Sequence, residues 1–227
     1  MKKGRMWFMA GSYFTVYREG EGEIVEKKSR FIANVYPVTT EEEALSYVEK
    51  IRKKHYDARH HCFAYVLGQN GNQKRASDDG EPQGTAGKPI LEVIEGAGIC
   101  DALVVVTRYF GGTLLGTGGL VRAYSMAAKE GLAKSLVIEK KPGLLAEIRA
   151  SYTEVGKMQY LFGEQRLPII DTEYTEEVKF TVIIPEEELG LMRKKMMELT
   201  SGRESLSEVI PVSYANAEGE IIYDFAE

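Results

Sequence analysis

Residues 101–125 read DALVVVTRYFGGTLLGTGGLVRAYS, and this stretch decides the fold of the first half of the chain. Ala102–Thr107 contains six apolar or β-branched residues without polar alternation, which predicts a strand buried on both faces. A glycine-rich loop follows this strand, and a helix is predicted from about Leu120. Five glycines fall within nine positions of the loop: Gly111, Gly112, Gly116, Gly118 and Gly119.

The glycine-rich loop is a candidate anion site. Glycine permits positive φ angles and close approach of the backbone to another surface. The predicted helix would aim its unpaired N–H groups and positive dipole end into the loop, which favours an anion. An alternative is that the glycines only allow strand, loop and helix to pack tightly. We expect a phosphate-sized or polyanionic partner to contact Arg108, Gly111, Gly112, Gly116, Thr117, Gly118, Gly119 and Arg122, with Arg59, His60 and Lys88 as a supporting rim.

Known nucleotide motifs do not fit this loop. Gly111 and Gly116 have the spacing of the Walker pattern, but Thr117 and Gly118 stand where that pattern requires Lys and Ser or Thr. The dinucleotide fingerprint fails as well, because Val121 occupies its third glycine position. Nothing obvious would grip the β- and γ-phosphates, so the residues do not support an NTPase.

Three carboxylates lie close together in the polar segment SDDGEPQGTAGKP, residues 77–89. Asp78, Asp79 and Glu81 could hold Mg²⁺, which prefers a few carboxylates together with phosphate oxygens. The pairs Asp79-Gly80 and Glu81-Pro82 are also ordinary turn chemistry. We favour the turn, because no separate cluster of metal ligands is visible in the sequence, and we expect neither a metal nor a cofactor.

The second half predicts a compact α+β module. The order of elements over residues 144–213 is β-α-β-β-α-β, the split βαβ arrangement. Pro142-Gly143 is expected to be a linker before it, and Glu218–Glu227 to be an acidic tail that is either an extra edge strand or disordered. No phosphate loop or acid–base pair stands out, which favours a binding or structural module.

Composition places the chain among ordinary globular proteins, with 44% hydrophobic and 28% charged residues in a length of 227. No apolar run approaches a membrane span, so no membrane partner is expected. The apolar stretch in Met1–Ala10 is too short for a signal-peptide core, which predicts a cytoplasmic protein. Residues 1–135 carry a net charge of +3 (19 basic, 16 acidic) and residues 136–227 carry −8 (10 basic, 18 acidic), which suggests different partners for the two halves.

Four motifs of the first half form one pattern. They are SRFI at residues 29–32, ARHHCFAY at 58–65, SDDGEPQGTAGKPIL at 77–91 and VVVTRYFGGTLLGTGGLVRAYS at 104–125. This pattern closely resembles the IMPACT/YigZ family. The resemblance implies an α+β protein whose residues 1–138 form a two-layer α/β sandwich shaped like the second domain of a small-subunit ribosomal protein. It also implies a ferredoxin-like accessory domain over residues 143–217, followed by the tail at residues 218–227.

The family resemblance also suggests a function. Eukaryotic members regulate translation during amino-acid starvation by competing for a scaffold protein that activates a kinase, but that partner network is absent from bacteria. We therefore expect a non-enzymatic regulator that contacts RNA, the ribosome or a ribosome-associated protein through the first domain. One alternative is an enzyme that acts on a small phosphorylated compound with Asp78, Asp79 and Glu81. Another is a protein–protein adaptor that uses the acidic second domain.

Overall fold

The computed structural model describes residues 11–225, which fall into two compact units. The N-terminal unit is Tyr13–Glu139, and the C-terminal unit contains the residues from Lys140 onward. Both units mix helices and strands, so the predicted α+β class with two domains is confirmed. The Met1–Ala10 stretch lies outside the described residues. Among the helices described, none is both long and apolar enough to cross a membrane.

Seven strands and three helices build the N-terminal unit. The strands are β1 Tyr13–Arg18, β2 Gly20–Glu26, β3 Ser29–Pro37, β4 His60–Leu67, β5 Gln73–Ser77, β6 Ile99–Cys100 and β7 Ala102–Tyr109. The helices are α1 Glu41–Lys54, α2 Gly87–Gly96 and α3 Gly116–Lys134. Five strands form an antiparallel sheet in the order β2-β3-β7-β4-β5, and β1 pairs with β6 in parallel.

The central strand β7 explains why residues 102–107 are continuously apolar. Val104 and Val106 pack with α2 and α3 on one face of the sheet, whereas Leu103 and Val105 pack with α1 on the other. The strand is therefore buried on both faces, as predicted. Helix α1 adds a third layer to the two that the family resemblance implies.

Helix α3 begins earlier than the sequence predicts. Its first residue is Gly116 instead of about Leu120, so Gly116, Gly118 and Gly119 lie in the first helical turn and not in the loop. The hydrophobic periodicity that marks a helix starts only at Leu120, because glycines and Thr117 contribute no apolar side chain to the core.

The C-terminal unit has the ferredoxin-like arrangement. Its strands are β8 Leu136–Ala150, β9 Ile169–Tyr174, β10 Val178–Pro185, β11 Leu206–Ala217 and β12 Glu220–Phe225. Its helices are α4 Val155–Glu164 and α5 Leu189–Leu199, the latter preceded by a 3₁₀ turn at Glu186–Glu188. The strands pair antiparallel in the order β9-β10-β8-β11-β12, and the helices cover one face. The acidic tail thus supplies an extra edge strand, one of its two predicted states.

The predicted linker at Pro142-Gly143 is wrong. Both residues lie within β8, where Gly143 pairs with Pro185 of β10 and Val212 of β11. A Cβ at Gly143 would lie 2.7 Å from the ring of Tyr214. The glycine is needed because an aromatic ring packs across a central strand, and not because the chain bends there.

Candidate functional site

Four chain connections meet at one end of the N-terminal sheet, here called the loop end. Antiparallel pairing places the ends of β2, β5 and β7 beside the starts of β3 and β4. The connections at the loop end are therefore residues 27–28, 55–59, 78–86 and 110–115. Nearly all residues of the expected site lie in or beside these connections, although the sequence separates them by up to 63 positions.

The amino end of α3 is open to solvent. Gly116, Thr117 and Gly118 are exposed, and no side chain caps the helix at Leu115. Gly116 has φ +71°, which an L side chain rarely adopts. The first N–H groups of a helix have no partner within it, so this end keeps the unpaired donors on which the anion hypothesis depends.

Gly111 brings a further pair of cations to the site. A Cβ at Gly111 would lie 2.0 Å from the carbonyl carbon of Lys28, and the N–H of Gly111 donates to Ser29 Oγ at 3.1 Å. Lys27 and Lys28 form the turn between β2 and β3 and are exposed. Sequence reasoning missed both lysines, since they lie 84 and 83 residues before Gly111. The sequence signal that could have found them is the pair of adjacent lysines between two strand patterns; in the structure both residues have positive φ.

Arg108 is not the open phosphate ligand that we expected. Its side chain is only 7% exposed, and Nη1 lies 2.6 Å from Glu81 Oε1. Alternation along β7 turns Arg108 toward the same face as Val106, beneath the segment that carries Glu81. The guanidinium is therefore neutralised inside the protein, although its buried Nε has no hydrogen-bond partner.

Glu81 is shared between Arg108 and a buried tyrosine. Tyr124 of α3 donates its hydroxyl hydrogen bond to Glu81 Oε1 at 2.8 Å. Cys62 of β4 lies beneath this group, with Sγ 3.4 Å from the Tyr124 hydroxyl. Burial is the main cause that raises the pKa values of both Cys62 and Tyr124. Both groups stay protonated at neutral pH, so Cys62 has no thiolate character.

Asp78 organises the loop between β5 and α2. Its carboxylate accepts hydrogen bonds from the backbone N–H groups of Gly84, Ala86 and Gly87 at 2.7–3.0 Å. Burial alone would raise the pKa of Asp78, but these three donors outweigh it and lower the pKa. The carboxylate thus holds the start of α2 against the end of β5.

Asp79 is also occupied by internal partners. One of its oxygens accepts from Arg52 Nη2 of α1 and the other from the N–H of His61, each at 2.7 Å. The carboxylates of Asp78, Asp79 and Glu81 therefore bind three different sets of protein groups and do not converge on one point. This arrangement agrees with the turn interpretation, which we favour over a Mg²⁺ site. Among residues 11–225, no group of three or more His, Cys, Asp or Glu side chains is placed to hold a metal ion.

The remaining expected residues divide into two kinds. His60 is structural, since its Nδ1–H donates to the backbone carbonyl of Asp79 at 2.9 Å. Arg59 and Arg122 are exposed. Lys88 lies in the first turn of α2, 3.8 Å from Glu92, and so belongs to that helix surface.

At the loop end, the carboxylates of residues 78–81 are bonded inside the protein, whereas four cations are exposed to solvent. The three carboxylates of residues 78–81 are turned onto backbone amides, arginines and a tyrosine. Lys27, Lys28, Arg59 and Arg122 face solvent, and none of the four forms an ion pair with any residue that the structure describes. The acidic segment at residues 78–81 thus adds no free carboxylate to the surface on which these four cations are exposed.

Comparison with known proteins gives matches over both units. Residues 27–132 match the family model described as the Impact N-terminal domain, and residues 148–203 match a domain of unknown function, DUF1949. The IMPACT family member YvyE of Bacillus subtilis is 44% identical over 200 residues, covering 88% of this chain and 92% of its own length. YigZ of Escherichia coli is 36% identical over 198 residues, with coverages of 86% and 94%.

More distant and structural matches agree. Protein IMPACT of Oryctolagus cuniculus is 34% identical over 98 residues, which cover 41% of this chain and 30% of the rabbit protein. A solved structure titled as that of a hypothetical protein is 34% identical, with a TM-score of 0.56, and covers 87% of this chain and 97% of its own.

Proposed function

This chain belongs to the IMPACT family, and from that premise we propose that it is a translation-linked regulator that binds RNA through the loop end of its N-terminal unit. The RNA would be ribosomal or carried by a ribosome-associated complex. The proposal concerns binding and requires no catalytic step.

One observation carries this proposal: exposed cations and uncovered helix amides lie at the loop end, while the three carboxylates of residues 78–81 are bonded to groups of the protein itself. The Lys27–Lys28 turn packs against the loop that leads into α3, with the Lys28 backbone next to Gly111. Arg122 follows in the second turn of the same helix. Phosphate groups are bound by lysine, arginine and backbone N–H donors at helix N-termini, and this surface offers all three.

The alternative of an enzyme acting on a small phosphorylated substrate loses its candidate acid–base groups. Asp78, Asp79 and Glu81 each accept hydrogen bonds from groups of the protein itself. A cavity of about 420 Å³ lies between α4 and α5, away from these three carboxylates. The geometry therefore favours an open binding surface over a substrate pocket.

The test is a titration of fluorescently labelled ribosomal RNA fragments with wild-type protein and with the double variant Lys27→Glu plus Lys28→Glu. A second variant, Arg122→Glu, reverses the charge at the start of α3. The matched control is Lys129→Glu, which lies on the same stripe of α3 but about 10 Å further from its amino end. Circular dichroism would verify that every variant is folded.

We expect the Lys27/Lys28 and Arg122 variants to weaken RNA binding by tenfold or more and Lys129→Glu to leave it within twofold, by the electrostatic rules for phosphate contacts. Equal losses in all three variants would mean that only net charge matters, which contradicts a defined site. Absence of RNA binding by the wild-type protein would refute the proposal and favour the adaptor alternative.

A further inference from the structure

An exposed aromatic side chain lies at the loop end, directly before Gly111. Phe110 is the first residue after β7, and its side chain is 55% exposed. Large aromatic side chains contribute most when buried, so a half-exposed phenylalanine beside exposed cations requires an explanation. Proteins that bind single-stranded nucleic acids use such rings as surfaces on which bases stack.

Phe110 is supported from beneath by Arg108. The guanidinium carbon of Arg108 lies over the Phe110 ring, 5.6 Å from its centroid, and over the Phe31 ring, 5.4 Å from that centroid. Cation–π contacts of this kind hold a ring in place. The guanidinium thus touches a buried ring and a half-exposed ring.

The side chains that contact Phe110 are themselves held in place by other buried groups. Arg108 is held by Glu81, and Glu81 also accepts from Tyr124. Tyr124 packs edge-to-face on Phe31, with ring centroids 5.1 Å apart and an interplanar angle of 85°. Phe110 therefore contacts a buried group of mutually bonded side chains, which lowers the entropy cost of ordering its exposed ring on binding.

The next residue fixes the backbone beside the ring. Gly111 is pressed against Lys28, so the Phe110 backbone cannot move away without breaking that contact. The same contact places the Lys27–Lys28 turn against the backbone of the residue that follows Phe110. An aromatic surface with adjacent cations matches a nucleotide whose base stacks and whose phosphate is neutralised.

We propose that Phe110 is a stacking platform for an unpaired nucleobase, with Arg108 as its positioning residue. This inference rests on the proposed function and narrows it: the preferred ligand is single-stranded RNA or an unpaired loop, because bases inside a duplex present no free face. The role also explains why a cation is buried at position 108. The Arg108 guanidinium supports the Phe110 ring and does not contact the RNA phosphate.

The experiment compares two probes, a short oligouridylate and an abasic oligonucleotide of the same length and phosphate number. Phe110→Ala removes the ring, whereas Phe110→Trp keeps a stacking surface and reports on it by fluorescence. Leu114→Ala is the matched control, because Leu114 is the 83% exposed apolar residue of the same loop and has no ring. Wild-type protein provides the fluorescence background.

We expect Phe110→Ala to lose about tenfold in affinity for oligouridylate, within the range for one stacked base, and to bind the abasic probe as wild type does. Phe110→Trp should restore oligouridylate binding, and its added fluorescence should be quenched by oligouridylate but not by the abasic probe. Leu114→Ala should change neither affinity.

Two results would overturn the stacking role in different ways. If Phe110→Ala binds both probes as wild type does while Arg122→Glu still loses both, the basic surface stands and the stacking platform does not. If wild-type protein binds neither probe nor ribosomal RNA, the proposed function fails together with the inference. Equal losses by Phe110→Ala and Leu114→Ala would show a general apolar contact and refute the base-specific one.

Discussion

At the scale of single residues, the buried pair of Glu81 and Arg108 decides the character of the loop end. A buried ion pair contributes little net stability, but removal of one partner leaves an uncompensated charge in a low-dielectric interior. The pair lies 2.6 Å apart, and both side chains are almost fully buried. Its main role in this protein is therefore to fix the groups around it.

The first prediction concerns this pair. Glu81→Gln should lower the free energy of unfolding by about 3–5 kcal/mol, because Arg108 stays buried without a counter-charge. Tyr124→Phe removes one hydrogen bond to the same carboxylate and should cost about 1–2 kcal/mol. Urea denaturation at neutral pH measures both. If Tyr124→Phe proved the more damaging change, the carboxylate would not be the anchor of this cluster.

The second prediction concerns Asp78 and pH. Its carboxylate accepts three backbone hydrogen bonds, so Asp78→Ala should cost about 3 kcal/mol at pH 7. Because the folded-state pKa of Asp78 is lowered, its contribution is fully present above the unfolded-state pKa of about 4 and is lost as pH falls through the folded value.

The stability difference between wild type and Asp78→Ala should therefore shrink as pH falls below about 4. Denaturation curves at several pH values would measure it. A difference that stays constant down to pH 2 would show that the carboxylate charge is not what holds the loop.

At the scale of elements, the close contact between the β2–β3 turn and the β7–α3 loop is the least expected feature. It depends on the absence of a side chain at Gly111, where a Cβ would meet the Lys28 backbone. Gly118 in the first turn of α3 is the opposite case, because a Cβ there would meet nothing within 4 Å.

The third prediction compares these two glycines. Gly111→Ala should destabilise the protein by about 3 kcal/mol, since backbone on both sides must shift. Gly118→Ala should stabilise it by about 0.5–1 kcal/mol through the higher helix propensity of alanine. Thermal denaturation of the two variants should thus move in opposite directions. A neutral Gly111→Ala would mean that the turn and the loop are not pressed together.

The same elements show what the sequence could reveal. The apolar run of β7 and the β-α-β-β-α-β order of residues 144–213 are predicted from local patterns and are present in the structure. The Thr40 side chain, which accepts from the N–H of Glu43 at the start of α1, is a local contact of the same kind. The true start of α3 could not be found in this way, since Gly116 and Gly118 carry no periodic signal. Likewise, Arg108 has the same sequence context whether it faces solvent or Glu81, and only the tertiary fold decides between them.

At the scale of the whole molecule, charge is divided along the chain. Residues 1–135 carry +3 and residues 136–227 carry −8, so a polyanion is favoured by the first part and repelled by the second. The N-terminal unit itself, Tyr13–Glu139, has 16 basic and 17 acidic residues and is close to neutral, whereas residues 140–227 have 10 and 17. Binding of RNA should therefore rest on the exposed cations of the loop end and depend strongly on ionic strength.

The fourth prediction quantifies that dependence. If Lys27, Lys28 and Arg122 each neutralise one phosphate of a single strand, affinity should fall about 20-fold between about 50 and 200 mM monovalent salt. The triple charge-reversal variant should show a much shallower slope. Binding that is indifferent to salt would rule out phosphate contacts as the source of affinity.

The uncapped amino end of α3 has one further consequence. The amides of residues 116–118 have no acceptor within the helix, and these three residues are exposed, so their hydrogens should exchange with deuterium far faster than those of the buried strand β7. A partner that covers this end would slow that exchange without any label or mutation. Hydrogen exchange at the amino end of α3, measured by mass spectrometry on the unmodified protein, would therefore report whether a partner is bound there.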